Sequence, residues 1–195
     1  MTQIEKDVVD LIMQDHRDLQ QIFARLRTGD GDPALLFPEM AALLTAHSRA
    51  EEAEVYPAVA KAGDAEEVKH AREEHAEADD LLSKLKKLAP DSAEFANLLN
   101  KLMDAVDHHI EEEESAALPA LRTGVDATRM AQLAEAFTNR RGEELESGPS
   151  PRQVGGSEMT KEKLYQKAVE HDIPGRSGMT KEELSEAVKA VEGEE

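Results

Sequence analysis

The chain has 195 residues, 39% of them hydrophobic, and a formal net charge of −19. This apolar content suffices for one core of bundle size and a small appendage, and the negative charge disfavours non-specific binding of nucleic acid by the main body. The absence of cysteine excludes disulfides, zinc–thiolate sites, iron–sulfur clusters and a cysteine nucleophile, so any metal would be held by nitrogen and oxygen atoms.

Four long amphipathic helices are predicted to make up most of the chain. Apolar side chains recur with the period of a helix, and turn signals at Gly29–Pro33, Gly63–Asp64 and Pro90–Ser92 separate the segments. The helices are expected at about residues 4–26, 38–62, 65–88 and 93–121, with a shorter fifth helix at about 127–140. The predicted fold is therefore all-α, an antiparallel up-down four-helix bundle with the fifth helix across or beside one end.

The composition changes beyond the fifth helix. Gly148–Pro151 and Gly155–Gly156 cannot continue a helix and have little to bury. The predicted organisation is a bundle at residues 1–141, a flexible linker at 142–157 and a small helix–extended–helix module at 158–195. No apolar segment resembles a signal peptide or could span a bilayer, so we expect a cytoplasmic protein without a membrane partner.

Each of the four long helices turns a histidine toward the core. His16 lies four residues after Ile12, and His47 lies four residues after Leu43, which places both on apolar faces. The same reasoning places two more histidines and two glutamates on apolar faces. The complete set of candidate ligands is His16, His47, Glu51, His75, His109 and Glu113.

This pattern occurs twice along the chain. The motif His-x3-Glu-x5-Pro begins at His47 and again 62 positions later at His109. The lone histidine of the first half, His16, has its counterpart 59 positions later at His75. The sequence therefore predicts two helical hairpins related by a pseudo-two-fold axis, each with a lone histidine and a His-x3-Glu pair.

Buried carboxylates beside imidazoles indicate a metal centre. An ionised carboxylate in an apolar core costs several kcal/mol unless it is paired or coordinated. Imidazole and carboxylate suit iron, manganese and zinc, and a pair of glutamates could bridge two cations. Two other interpretations stay open: core histidines satisfied by hydrogen bonds with the glutamates at helix edges, and an acid–base relay of Asp, Glu and His side chains.

Other polar residues near the candidate ligands could also belong to the metal centre. His70 has acidic residues around it and is expected in solvent. His108 has a glutamate four residues on, as His109 does, but the apolar stripe favours His109. Glu54 and Asp79 lie one turn beyond ligand positions and, with His108, could support the ligands or add one, although exposed charges are the simpler interpretation.

The candidate ligands resemble the motif of the hemerythrin-like HHE cation-binding family over residues 5–140. The flanking residues agree with it: Asp15–His16, Glu51–Glu52 before Tyr56–Pro57, Glu74–His75, and Glu113–Glu114 before Leu118–Pro119. The resemblance implies that the six residues hold two non-haem iron ions with an oxo or carboxylate bridge, in preference to manganese or zinc. It also implies binding of, or reaction with, O2, hydrogen peroxide or nitric oxide, in an oxygen, redox or iron response such as oxidative stress.

The chain departs from the oxygen-carrying hemerythrins on its third helix. Those proteins have two histidines one turn apart, whereas the neighbours of His75 at that spacing are Ala71 and Asp79. The resemblance thus implies an iron ion that lacks one nitrogen ligand unless Asp79, water or another group replaces it. Reaction or sensing is favoured over oxygen carriage. The alternative is a metal- or oxygen-dependent regulator without turnover, and the sequence decides neither enzymatic activity nor oligomeric state.

The C-terminal module is similar to small SAP-like and Rho N-terminal-like modules. The similarity rests on two Met-Thr-Lys-Glu helix starts and on the segment Ile173–Ser177. Such modules often touch nucleic acid, and four basic side chains could meet phosphates: Lys161, Lys163, Arg176 and Lys181. Interleaved acidic residues offset them, so an appendage that binds a protein or tethers the bundle is the favoured interpretation.

Overall fold

The computed structural model describes residues 6–63, 65–147 and Ala187. It contains α1 Val8–Thr28, α2 Pro33–Ala50, a π-helical segment Glu51–Val55, α3 Tyr56–Ala62, α4 Ala65–Leu85, α5 Ala93–Ser115, α6 Ala117–Gly124 and α7 Ala127–Ser147. The predicted all-α fold is confirmed. The chain divides into two compact units, Met1–Pro151 and Arg152–Glu195. The predicted C-terminal module lies outside the described residues except for Ala187.

Capping groups explain where the helices begin and end. The side chains of Asp7, Asp32 and Ser92 accept hydrogen bonds from backbone N–H groups in the first turns of α1, α2 and α5. Gly29 and Gly63 end α1 and α3 in the left-handed region, with φ of 72° and 115°, which glycine adopts without steric cost.

The start of the second helix and the end of the last described helix differ most from their predicted positions. The second helix starts at Pro33 rather than near Pro38, because the cap at Asp32 initiates it and a proline suits the first turn. Pro38 is then accommodated within the helix. In the last described helix, α7 continues to Ser147, so residues 142–147 are helical rather than linker, and Arg140 pairs with Glu144 one turn on.

Two prolines interrupt the long helices beside the candidate ligands. Pro57 and Pro119 have no N–H group, and their rings press on the carbonyl four residues earlier. The backbone before Pro57 widens into the π segment, whereas the backbone before Pro119 breaks at Ala116, with φ −123° and ψ −69°. The predicted second and fourth helices are therefore each divided, and the second part of each is α3 or α6.

Four rods form the bundle: α1, then α2 with the π segment and α3, then α4, then α5 with α6. Ion pairs show that α1 runs antiparallel to the last rod, because Asp10 contacts Arg122 while Arg27 contacts Asp104. The buried apolar side chains form two separate clusters, with Leu19 in one and Ile12 in the other. The central turns of the rods, between these clusters, form a polar layer.

The fifth predicted helix, α7, lies beside the bundle. It packs mainly against α2, α1 and the π segment, and it buries Met130, Leu133, Ala134 and Phe137. The ring of Phe137 meets His47 edge-on, with 6.1 Å between the ring centroids. α7 therefore covers one side of the polar layer. Among the described helices, none combines the length and the apolar character that a bilayer crossing requires.

Candidate metal centre

The structure brings the six candidate ligands into one buried layer, where none is more than 5% exposed. Their nitrogen and oxygen atoms fall into two groups in which all donor atoms lie within 4.8 Å of one another. The first group is His16, His47, Glu51 and Glu113, and the second is Glu51, His75 and His109. Glu51 belongs to both groups, so any cations held in the two groups would share its carboxylate.

The Nε2 atoms of the imidazoles point at this shared region. The Oε2 atom of Glu51 lies 3.3 Å from His47 Nε2 and 3.6 Å from His75 Nε2. In the second group, the Nε2 atoms of His75 and His109 are only 3.0 Å apart. Two ring nitrogens at this distance repel each other if both carry lone pairs, and a proton or a cation is needed to hold them together.

A carboxylate contacts the other ring nitrogen, Nδ1, of each of the four candidate ligand histidines. The Nδ1 contacts are His16 with Glu114 at 2.8 Å, His47 with Asp15 at 3.4 Å, His75 with Glu52 at 3.0 Å, and His109 with Glu74 at 2.8 Å. An ionised carboxylate only accepts, so each Nδ1 donates, and a neutral imidazole of this tautomer has its Nε2 lone pair free for the centre. This arrangement sets all four imidazoles in the tautomer that a metal ligand requires.

Sequence reasoning missed the role of these four carboxylates. The residue before each lone histidine, Asp15 or Glu74, bonds to the His-x3-Glu histidine of its own hairpin. The residue after each ligand glutamate, Glu52 or Glu114, bonds to the lone histidine of the other hairpin. The repeated acidic-His and Glu-Glu pairs were the available signal.

Several buried side-chain atoms of the candidate ligands have no hydrogen-bond partner among the described residues. They are His16 Nε2, His47 Nε2, Glu51 Oε1 and both carboxylate oxygens of Glu113. His16 Nε2 and Glu113 Oε2 are 3.2 Å apart, yet the geometry does not make a hydrogen bond. Buried polar atoms are almost always paired. Lone pairs left facing one another fit a cation, which satisfies them together.

The electrostatics of the metal-free layer are asymmetric. Burial, followed by the neighbouring Glu113, raises the pKa of Glu51 well above its usual value. Burial opposes ionisation of Glu113 also, but the adjacent imidazole of His16 and the charges of His109 and His47 hold its pKa at about 2. Burial lowers the pKa of His47 to about 4. Without a cation the layer therefore favours a proton on Glu51 and a neutral His47.

Tyr56 is a further polar residue beside the second donor group. Its hydroxyl oxygen lies 3.3 Å from His75 Nε2 and 3.4 Å from Glu51 Oε2, and the residue is 1% exposed. Burial and then the Glu51 carboxylate raise its pKa well above the usual value, so the phenol keeps its proton. The pseudo-equivalent position, 62 residues on, is Leu118. The two groups are therefore chemically distinct.

The remaining predicted residues lie outside the two buried groups. Asp79 is exposed on α4 and Glu54 is half-buried in the π segment. His108 is directed outward with 62% of its side chain exposed, so His109 is the member of this pair inside the bundle. His70 is exposed, as expected. The four basic positions proposed to meet phosphates, Lys161, Lys163, Arg176 and Lys181, lie outside the described residues.

Residues 7–121, more than half of the chain, match the Hemerythrin HHE cation binding domain, and the chain belongs to this family. It is similar to a DNA nickase of Nostoc sp. (strain PCC 7120), with 29% identity over 136 residues that cover 68% of this chain and 38% of that protein. It is also similar to an uncharacterized hemerythrin-like protein of Schizosaccharomyces pombe, with 29% identity over 135 residues that cover 67% of this chain and 66% of that protein.

The chain therefore spans only part of both relatives. None of the solved structures matches it significantly. Fold, donor groups and family match together define a metal-binding hemerythrin-like bundle.

Proposed function

We propose that the bundle binds two iron ions, one in each donor group with Glu51 between them, and that it binds or reacts with O2, hydrogen peroxide or nitric oxide. The observation that carries this proposal is the set of unpartnered Nε2 and carboxylate atoms in a layer with almost no solvent exposure. Bound iron supplies the redox chemistry for these small ligands. The family membership and the purely nitrogen and oxygen donor set support iron as the metal.

The residues of the chain define how such a site behaves. Carboxylates on Nδ1 increase the basicity of the imidazoles and fix their orientation. Apolar clusters on both sides of the layer restrict access of water. Tyr56 holds a proton on its hydroxyl oxygen beside Glu51 and His75, where it can donate a hydrogen bond to a small ligand. Only the second group has this donor, which favours it as the place where the ligand binds.

Elemental analysis and an optical spectrum of the full chain test this proposal. We expect about two iron ions per chain, a yellow to brown colour, and a near-ultraviolet charge-transfer band that changes with peroxide or nitric oxide. Glu51→Gln should lower the iron content, because Glu51 belongs to both groups. Glu54→Gln, three residues away and outside both groups, is the matched control and should keep it. Colourless, iron-free wild-type protein from iron-replete cells would contradict the proposal.

A second candidate function is a metal- or oxygen-dependent regulator that contacts nucleic acid through residues 158–195. The name of a relative, a DNA nickase of which this chain covers 38%, favours nucleic acid as the partner. The predicted basic side chains of residues 158–195 are the reason for assigning the contact to this module. Gel-shift measurements should compare the iron-loaded and metal-free full chain with a chain ending at Ser147. DNA binding that requires iron and is lost in the shorter chain would support this function. DNA binding by none of the three forms would contradict it.

A further inference from the structure

A second cluster of metal-ligating side chains lies on the outer face of α4 and α5. His70 Nε2 lies 3.0 Å from Glu112 Oε2 and 3.7 Å from Glu74 Oε1, and His108 Nε2 lies 3.4 Å from Glu112 Oε1. In a tetrahedral site with ligand bonds of about 2.0–2.2 Å, donor atoms are about 3.3–3.6 Å apart. His70, Glu74 and Glu112 offer donor atoms within 4.8 Å of one another. His108 contacts the other oxygen of Glu112, and it joins these three around one cation when its side chain or that carboxylate rotates.

The cluster is exposed to solvent. The His70 and His108 side chains are 51% and 62% exposed, so an ion from solution can reach their nitrogens. With a net charge of −19, the whole chain also attracts cations. These conditions suit a site that exchanges its ion with solution, unlike the buried layer.

The pseudo-two-fold repeat does not account for these side chains. The positions 59 residues before His70 and 62 residues before His108 are Leu11 and Ala46. Ala46 is buried, and Leu11 packs in the apolar cluster that includes α7 residues. The first hairpin is thus apolar and covered where the second hairpin carries two imidazoles in solvent. His70 and His108 are therefore specific to the solvent-exposed face of α4 and α5 and are not part of the repeated pattern.

Glu74 connects the cluster to the buried layer. One oxygen, Oε1, faces His70, while the other, Oε2, accepts a hydrogen bond from His109 Nδ1 at 2.8 Å. His109 in turn presents its Nε2 atom to the second donor group. A cation held by the surface cluster would therefore stand one carboxylate and one imidazole away from the buried centre.

We propose that His70, His108, Glu74 and Glu112 form a solvent-facing site for a divalent first-row transition-metal ion, through which the buried centre is loaded. Two imidazoles with two carboxylates favour such ions over Mg²⁺ or Ca²⁺, which prefer oxygen ligands. The loading role rests on the proposed function, whereas binding of the ion at the surface does not.

Titration of the full chain with Co²⁺, followed by its visible absorption, tests binding at the surface. The titration should use the Glu51→Gln background, in which the shared carboxylate of the buried groups is absent. We expect one Co²⁺ ion to remain there and to be lost when His70→Gln and His108→Gln are added. Asp80→Asn with Lys84→Gln, which removes an exposed ion pair on α4, is the matched control. Equal Co²⁺ binding with and without the two histidines would overturn the site.

Loading is measured separately by mixing the metal-free full chain with Fe²⁺ under anaerobic conditions and stopping the reaction with a chelator. His70→Gln with His108→Gln should slow uptake of iron by roughly tenfold and leave the final content of the buried centre unchanged. Iron uptake by this double variant at the wild-type rate would contradict the loading role. If wild-type protein takes no iron into the buried centre, the proposed function fails, while the Co²⁺ result still decides whether the surface site exists.

Discussion

Equivalent histidines in the two hairpins have different surroundings. Asp15 accepts a hydrogen bond from Arg141 Nε at 2.6 Å, and its contact with His47 Nδ1 is correspondingly long at 3.4 Å. The counterpart contact, Glu74 with His109, is 2.8 Å. Burial lowers the pKa of His47 to about 4. Burial lowers the pKa of His109 also, but the hydrogen bond to Glu74 and nearby negative charges outweigh burial, so that the pKa is raised. The side covered by α7 therefore holds a more weakly basic imidazole.

Acid should destabilise the metal-free protein through His47. Its pKa is about 4 in the folded chain against 6.5 in the unfolded chain, so its contribution is present above pH 6.5 and is lost as the pH falls toward 4. The loss reaches at most about 3 kcal/mol. Urea unfolding of wild type and His47→Gln between these pH values measures it, and wild type should lose stability relative to His47→Gln on acidification. A constant difference would rule out this effect of His47.

Removal of a negative charge from an Nδ1 partner should weaken metal binding. Glu114→Gln keeps an acceptor for His16 but makes it neutral, so the imidazole becomes a poorer ligand. We expect an affinity about tenfold lower in competition with a chelator. Glu111→Gln, on the same helix and exposed, should leave the affinity unchanged. An equal effect of both changes would mean that only the net charge of the chain matters.

At the scale of helices, the sequence predicts which face of a helix a residue lies on. It does not predict which residues of two different helices contact each other. The His-x3-Glu spacing lies within a helix, so its face follows from the helical period. The contact between His16 and Glu114 joins residues 98 positions apart, and nothing in the spacing of either helix indicates it. The π segment before Pro57 was likewise missed, because a proline can be accommodated by a kink, a break or a wider turn.

The position of α7 against His47 leads to a prediction about stability and metal release. Phe137 is buried against His47, so Phe137→Ala should leave a cavity beside the first donor group. We expect a loss of about 3–5 kcal/mol in the free energy of unfolding together with faster metal loss. Phe95→Ala, equally buried in the other apolar cluster, should cost as much stability without faster metal loss. Chelator-chase rates and urea unfolding separate the two outcomes.

In the whole molecule, a polar layer separates two apolar clusters. Two carboxyl groups and four imidazoles are buried there, and several of their atoms are unpartnered. Burial of such groups lowers stability unless a cation pairs with them. We infer that the metal-free bundle gives up stability for the capacity to bind metal. A substitution that removes a charged group from the layer should therefore raise the stability of the metal-free protein and lower the stability of the metal-bound protein relative to wild type.

Glu51→Gln tests this reversal. Burial and Glu113 raise the pKa of Glu51, so its ionisation in the metal-free bundle opposes folding increasingly as the pH rises above 4.5. The neutral variant should be more stable than wild type by about 1–3 kcal/mol without metal at neutral pH. With Fe²⁺ at about 1,000 times the dissociation constant, wild type should gain about 4 kcal/mol per site and become the more stable protein. Anaerobic thermal melts with and without Fe²⁺ measure both differences, and Glu54→Gln should shift neither. Lower stability of Glu51→Gln in both states would mean that Glu51 stabilises the fold itself rather than a cation.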